Sequence, residues 1–347
     1  MAKQLSQREM DYPDKLLEYL NGFRFSKVIF SACELGVFDL LLTSQEPLSA
    51  QQVAQELSAS ADGMERLMDT LVGLQILDVE TTNATALYSN TDLASRYLAK
   101  GSPRSLWNMI IYFSQSLYPL WSGLGDTVRA GKNQNEKNFG IPTEDVFHAI
   151  FRTEEEMVKF LGLMDSTWAM DGLHIVRAFD LSCFQKVVDV GGCTGALARE
   201  VAKAYPSSSV TVFDLPQTVE MVQKHFARDD TVMFQPGDFF TDDIPPADLY
   251  ILARIIHDWP EEKGLKLLKK IYDTCKTGGG VLLVEALLLE NRRGPVLAQV
   301  FSLNMMIQTE GRERHPSDYI QMLNKVGFLN VQVSRTEKTY DAILALK

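Results

Sequence analysis

Lys186-Val-Val-Asp-Val-Gly-Gly-Cys-Thr-Gly195 decides the fold. Its first five residues read as a short buried strand. Gly191, Gly192 and Gly195 then permit a sharp turn and a close backbone approach to a ligand. Ala196–Ala204 follows with helical spacing. Outward from this unit the pattern repeats. Strands are predicted at Val210–Phe213, Val232–Gln235, Ala247–Ala253 and Gly280–Glu285, with helices at Val219–Phe226 and Glu261–Cys275. Strand–helix alternation of this kind builds a mostly parallel, doubly wound, Rossmann-like α/β sheet. Such sheets bind ligands at the carboxyl ends of their strands, so the chemistry is expected just after each strand.

The residues there are specific in kind. The dinucleotide fingerprint G-x-G-x-x-G does not fit, because from Gly191 its third position is Cys193 and its sixth Ala196. Asp189, two residues before Gly191, suits a water or amide near a cationic amino-acid tail. Asp214 ends the second strand, where a carboxylate accepts ribose hydroxyls; it also reads as a helix cap before Pro216. Gly237-Asp238-Phe239-Phe240 follows the third strand. Asp238 can accept from an adenine amino group while Phe239 packs on the ring, or the two form a polar turn over a core aromatic. His257 stands just beyond the fourth strand, in the place of a general base. Glu285, at the end of the next strand, or Glu313 could fix its tautomer, and Glu310 competes with Glu313.

Asp-x-Gly-Gly-x-x-Gly, Phe-Asp-Leu-Pro, Gly-Asp-Phe-Phe, His-Asp-Trp and Glu-Gly-x-Glu-Arg, in this order and spacing, resemble the small-molecule O-methyltransferases over nearly the whole chain. Ala32–Leu41, Ala178–Ser182, Leu249–Arg254 and Ser302–Met305 with Gln308–Gly311 are similar to the members that act on hydroxyindoles. The resemblance implies a class I methyltransferase domain, S-adenosylmethionine as methyl donor, a small hydroxyindole acceptor and no metal. His257 would be the base. Asp258, Asn304 and Gln308 would hold the acceptor. Asp214, Gly237, Asp238, Phe239 and Arg254 would line the cofactor site, with Gly191 at its turn and Trp168 covering it. Phe151 falls where close relatives carry a cofactor-contacting tyrosine and lacks the hydroxyl. Cys193 replaces a third glycine. The implied layout is a winged-helix dimerisation domain over 1–110, a helical connector lining the active site over 111–180 and the methyltransferase domain over 181–347.

The first half supports that layout. Apolar residues recur at helical spacing through 14–42, with Gly36 interrupting and Val37–Leu42 continuing. Ser49 suits a helix start before Ala50–Leu57, and Ser60-Ala-Asp-Gly63 precedes a further amphipathic helix, Met64–Leu74. Ile76–Glu80 and Ala86–Ser89 flank a polar tip at 81–85 and read as a hairpin. This order is that of a winged helix-turn-helix, but residues 26–100 carry four basic and ten acidic side chains, a net of −6. A phosphate-reading face needs clustered Lys and Arg, so the unit is expected to be structural. The segment Asn21–Leu42, with Phe23, Phe25, Val28, Ile29, Phe30, Leu35 and Phe38, is apolar around much of its circumference and needs a second covering surface. Two-fold homodimers are the commonest solution.

Composition limits the rest. The 347 residues are 46% hydrophobic and 23% charged, with a net charge of −11, which disfavours nucleic acid and anionic membranes. No run approaches the roughly 18 apolar residues of a membrane span. The polar N-terminus lacks a secretory core. Four scattered cysteines form neither a disulfide framework nor a zinc pattern, so a cytoplasmic location is expected. Lys132–Asn138 is expected as a surface loop and Glu154–Glu156 as a solvated helix start.

Overall fold

The structure is a computed structural model describing residues 13–82, 85–226 and 230–347. The chain forms two compact units, one ending at Ser114 and the other starting at Gln115.

In the first unit α1 (Asp14–Leu35) stops at Gly36, which adopts φ 82° and passes directly into α2 (Val37–Thr43). α3 (Ala50–Glu56) starts from a capping box in which Ser49 and Gln52 satisfy each other's backbone amides. Ser60 accepts from the Gly63 amide and so starts α4 (Ala61–Gly73) three residues earlier than its apolar pattern predicts. β1 (Leu77–Thr82) and β2 (Thr85–Asn90) pair antiparallel as the expected hairpin; the centre of its tip, residues 83 and 84, lies outside the described residues. α5 (Asp92–Tyr97) and α6 (Trp107–Tyr112) follow. Val37, Phe38, Val53, Met64, Met68, Leu71, Leu77 and Tyr88 make the core. α1 contributes only Ala32 and Cys33 as fully buried residues. Leu16, Tyr19, Leu20, Phe23, Phe25 and Leu35 remain exposed along it.

The second unit opens with α7 (Tyr118–Trp121), α8 (Leu124–Ala130), α9 (Asn135–Phe139) and α10 (Val146–Ile150). The long α11 (Glu154–Val176) is capped by Thr153, whose side chain accepts from the Glu156 amide, with three glutamates in its first turn as expected. The 132–138 tract departs from the expected surface loop. Lys132, Glu136, Lys137 and Asn138 are exposed, but Asn133 and Asn135 are buried. Asn133 Nδ2 donates to the carbonyls of Thr143 and Thr309, so it tethers two distant loops. A polar tract read by composition alone conceals such inward-pointing amides.

A seven-stranded sheet organises the remainder. Its strands are β3 (Lys186–Val190), β4 (Ser209–Asp214), β5 (Met233–Pro236), β6 (Leu249–Ala253), β7 (Gly280–Glu285), β8 (Leu329–Ser334) and β9 (Asp341–Leu346). Across the sheet they run β5-β4-β3-β6-β7-β9-β8. β5 to β7 are parallel in that order, and β9 lies antiparallel to both β7 and β8. The intervening helices are α12 (Ala196–Ala204), α13 (Pro216–His225), α14 (Glu261–Thr274), α15 (Val296–Gln308) and α16 (Pro316–Val326). All of β6 and β7 is buried, as expected for strands covered on both faces. Period-two alternation divides them between two cores. Leu249, Ile251 and Val284 pack with α11 and α12, while Tyr250, Leu252 and Leu283 pack with α14 and α16.

Strand order reverses between β3 and β6, which opens a crevice at their carboxyl ends. At the opposite end Asp248 closes the sheet. Its Oδ2 accepts the Gln185 and Lys186 amides and its Oδ1 meets Lys276 Nζ at 2.8 Å. Among the described residues no helix is long and apolar enough to cross a membrane.

Lys276 and those two amides hold the Asp248 carboxyl below its usual range. A carboxyl depressed in the folded state stabilises it above the unfolded pKa, near 4, and that contribution fades as pH falls further. Asp248→Ala is therefore expected to cost about 1.5–3 kcal/mol at pH 7 and less at pH 3. Urea unfolding at the two values checks both the size and the convergence.

Candidate active site

β3 runs into the glycine turn, and each residue of that turn has a spatial reason. A Cβ on Gly191 would lie 2.5 Å from Ile255 Cδ1 and one on Gly192 2.6 Å from Asp189 Oδ2. Cys193 itself takes a left-handed φ of 51°, a conformation that is uncommon away from glycine and clusters at functional sites. Asp214, at the end of β4, holds the turn in place. Its Oδ2 accepts the Cys193 amide at 2.8 Å and its Oδ1 the Leu215 amide at 2.7 Å. Asp214 thus shapes the turn and keeps lone pairs for a ligand. Burial pushes its carboxyl up, against the pull of those two amides.

Asp189 is buried with neither oxygen hydrogen-bonded to protein. Burial and the Asp214 charge push it up to about 7. Such orphaned acceptors mark a place for a donor-bearing ligand or water. The 237–242 turn closes on itself. Asp238 Oδ1 accepts the Phe240 amide and Asp242 Oδ2 the Asp238 amide. Gly237 is obligatory there, because a Cβ would meet the Phe213 ring at 2.4 Å. Phe239 leans to within 3.6 Å of a Cβ on Gly191 and packs edge-on to Phe240 and Trp259. Phe151 joins a cluster with Cys193, Met221 and Phe234, beside the same turn.

Arg254 follows β6 with a φ of 58°. Its guanidinium lies over the Tyr340 ring at 5.3 Å and reaches Met164 Sδ, while Nε has no partner. Trp168 is buried beside the same tyrosine, its ring centroid 5.4 Å from that of Tyr340. Among the described residues no carboxylate lies within ion-pair distance of Arg254. A cation so placed is suited to an anionic ligand group. Asp189, Gly191, Asp214, Asp238, Phe239, Arg254, Trp168 and Phe151 thus line a place that could hold S-adenosylmethionine, with acceptors for an ammonium and hydroxyls, a ring surface for a base and a cation for a carboxylate.

Beyond Arg254 a short 3₁₀ turn, Ile256–Asp258, carries His257. The imidazole is 2% exposed. Its Nδ1 lies 2.7 Å from Glu313 Oε1 and 3.7 Å from Glu285 Oε2, and its Nε2 lies 3.5 Å from Asp258 Oδ1. The structure separates the carboxylates that the sequence left as alternatives. Glu313 takes the ring nitrogen. Glu285 Oε1 instead accepts the amides of Ile256 and His257. Glu310 turns away to Lys263. Burial pushes the Glu285 and Glu313 carboxyls well up, Arg314 opposing for both and Arg254 also for Glu313. Burial raises Asp258 as well, against His257 and Arg254. Atoms of His257, Glu285 and Glu313 lie within 4.8 Å of one another, close enough to surround a cation. One oxygen of each carboxylate is committed, Glu313 Oε1 to the imidazole and Glu285 Oε1 to backbone amides, while both Oε2 atoms have no hydrogen-bond partner.

On α15 Asn304 Oδ1 accepts from the indole Nε1 of Trp121, the last residue of α7, at 3.1 Å. An indole nitrogen only donates, so the Asn304 amide is left with its NH₂ to offer. Gln308, one turn on, is buried. Trp121, Tyr340, Met164 and Asn133 carry no motif, and only their packing reveals them.

Residues 121–329 match the O-methyltransferase domain and residues 17–100 the O-methyltransferase dimerisation domain. The chain belongs to the O-methyltransferase family. Acetylserotonin O-methyltransferase of Gallus gallus is 48% identical over 344 residues, covering 99% of each chain. That of Homo sapiens is 48% identical over 334 residues, covering 96% of this chain and 97% of its own. The crystal structure of human N-acetylserotonin methyltransferase in complex with SAM superposes with a TM-score of 0.94 at 46% identity, covering 100% of this chain and 99% of that one. The expected mostly parallel sheet preceded by a helical unit is the architecture of this O-methyltransferase.

Asp189 gives a test that needs no ligand. Its folded pKa, about 7, lies above the unfolded value near 4. Its contribution to stability is therefore complete below pH 4 and lost as pH rises through 7. Asp189→Asn removes that slope, so between pH 4 and 8 the parent is expected to lose about 2–4 kcal/mol relative to the variant. Urea midpoints across that range measure the difference.

Proposed function

We propose that this O-methyltransferase methylates the 5-hydroxyl of N-acetylserotonin from S-adenosylmethionine, giving melatonin and S-adenosylhomocysteine. His257 serves as the base. The observation that carries the reading is the 2.7 Å contact of His257 Nδ1 with Glu313, which leaves Nε2 to face the acceptor. The near-full-length likeness to acetylserotonin O-methyltransferases supplies the acceptor class.

S-adenosylmethionine, when bound, supplies a methyl group already activated on a sulfonium. The chain has two tasks: to hold the acceptor oxygen in line and to take its proton. A phenol with a pKa near 10 is mostly protonated at pH 7. His257 Nε2 takes that proton. Glu313 then carries the hydrogen bond from Nδ1–H and stabilises the imidazolium that results, as in other base–carboxylate pairs. Asp258, beside Nε2, and Gln308 orient the acceptor. The Asn304 NH₂, fixed by Trp121, suits a carbonyl oxygen and not an ammonium, which favours the N-acetyl form over the free amine. Asp189, Gly191, Asp214, Gly237, Asp238, Phe239 and Arg254 hold the methyl donor, with Phe151 and Trp168 packed behind it.

The exposed apolar side of α1 belongs to the segment that matches the dimerisation domain. We assign it to a second copy of this chain in an obligate homodimer, with a helical connector reaching the active site from about residue 111. The four free cysteines fit a cytoplasmic location. The net charge of −6 over residues 26–100 disfavours nucleic acid as a partner.

His257→Gln is expected to lower turnover by about 10²-fold or more while leaving cofactor affinity within threefold. Asp214→Ala is expected to do the reverse, weakening cofactor binding by about 1.5–3 kcal/mol. Calorimetry with S-adenosylmethionine and initial rates with N-acetylserotonin separate the two. Light scattering at micromolar concentration should give twice the 39.0 kDa chain mass, and a fully active monomer would remove the dimer assignment.

A further inference from the structure

We propose that Arg314 is a positioning residue for the base, holding the His257 turn through its main chain. The inference rests on the reading of His257 as the base. Arg314 is 5% exposed, and among the described residues its guanidinium meets no carboxylate within 4 Å. It spends its donors on peptide carbonyls. Nη1 donates to Ile256 O at 2.9 Å and Nη2 to Trp259 O at 2.7 Å. These carbonyls flank His257 on either side. The amide of Arg312 donates to the carbonyl between them, His257 O, at 2.8 Å. At the other end of the turn the Ile256 and His257 amides donate to Glu285. A cation thus grips the carbonyls of the turn and a carboxyl oxygen its amides, so the turn is held from both ends.

The fit is close. A Cβ on Gly311 would lie 1.8 Å from His257 O, so the loop carrying Glu313 and Arg314 is pressed directly onto the turn. Glu313 and Arg314 are consecutive: one takes the imidazole and the other takes the backbone that carries it. Its planar fork holds carbonyls three residues apart in one fixed orientation, whereas a lysine ammonium, which bridges such a pair from Lys347 to Tyr272 O and Cys275 O, does so as a single point charge on a flexible stem.

The same guanidinium, after Arg254, opposes the rise that burial imposes on Glu313. Glu313 is surrounded by His257 and Asp258 from the turn, Glu285 from β7, Arg254 from the end of β6, Tyr319 from α16 and Tyr340. Only Arg254 and Arg314 among these are permanent cations. Without Arg314, Glu313 takes up a proton at higher pH and donates to Nδ1. The proton of the neutral ring then sits on Nε2, which can no longer accept one.

The experiment compares Arg314→Met, Arg314→Lys and Arg314→Ala in the full chain with S-adenosylmethionine and N-acetylserotonin. Cofactor dissociation constants are expected within threefold of the parent for all three. In Arg314→Met kcat should fall about 100-fold, and the acid limb of its pH profile should move up by about one unit. Arg314→Lys should lower kcat without moving the limb. Guanidinium ion should raise kcat of Arg314→Ala at least tenfold, by about the factor a returned hydrogen-bonded cation supplies, and leave the parent unchanged. If Arg314→Met does not fold, Arg314→Lys and the guanidinium rescue decide. The proposal is overturned by kcat within threefold of the parent in Arg314→Met and Arg314→Lys. It is equally overturned by a loss that tracks cofactor affinity, with the limb unmoved and no rescue. An active His257→Gln enzyme overturns the base reading itself, whereas an inactive one beside a normal Arg314→Met overturns the clamp alone.

Discussion

β3 and β6 lie side by side, but the chain leaves them toward opposite edges of the sheet. Everything at the site depends on that divergence. Two parallel strands whose crossovers go to opposite sides leave an uncovered notch at their ends. One strand fills its lip with the glycine turn, the other with Arg254 and the His257 turn. The backbone accepts strain at both lips, at Cys193 and Arg254. Neighbouring strands deliver Asp214 and Glu285 to the same end of the sheet: Val212, Asp189, Ile251 and Leu282 stand at one level, two residues before Asp214 and three before Glu285.

The site is also electrostatically expensive. Asp189, Asp214, Asp258, Glu285 and Glu313 are all buried and all shifted upward, with burial the leading cause in each. Two arginines, one imidazole and several peptide amides oppose that desolvation. Stability and chemistry therefore pull in different directions here, as they do at many active sites. The two apolar cores on either face of the sheet supply the rigidity that tolerates the conflict.

Much of this was legible in the residue order. Lys186–Val190, Ala196–Ala204 and Gly280–Glu285 fall where their patterning puts them, since uninterrupted β-branched and amphipathic runs leave little choice. The strand-end acids and His257 were legible because parallel sheets gather ligand-binding groups there. The choice between Glu285, Glu310 and Glu313 was not, because it turns on ångström-scale placement of segments far apart in sequence. Asn133 was misread for a related reason: polarity in a glycine-bounded tract says nothing of which amide faces inward. The start of α4 was displaced by its Ser60 cap, a local hydrogen bond that periodicity ignores. The antiparallel β8–β9 pair at the sheet edge had no turn motif to announce it.

One residue of the glycine turn leads further. Cys193 is a thiol placed where the reading above puts a methyl donor, and a thiolate is a better nucleophile than any phenol. Burial first, then the Asp214 and Asp189 charges, push the Cys193 thiol far above its ordinary range. Two of the carboxylates that would greet the donor thus also keep this sulfur protonated and unreactive. The turn carries a sulfur while denying it the charge that would make it a nucleophile.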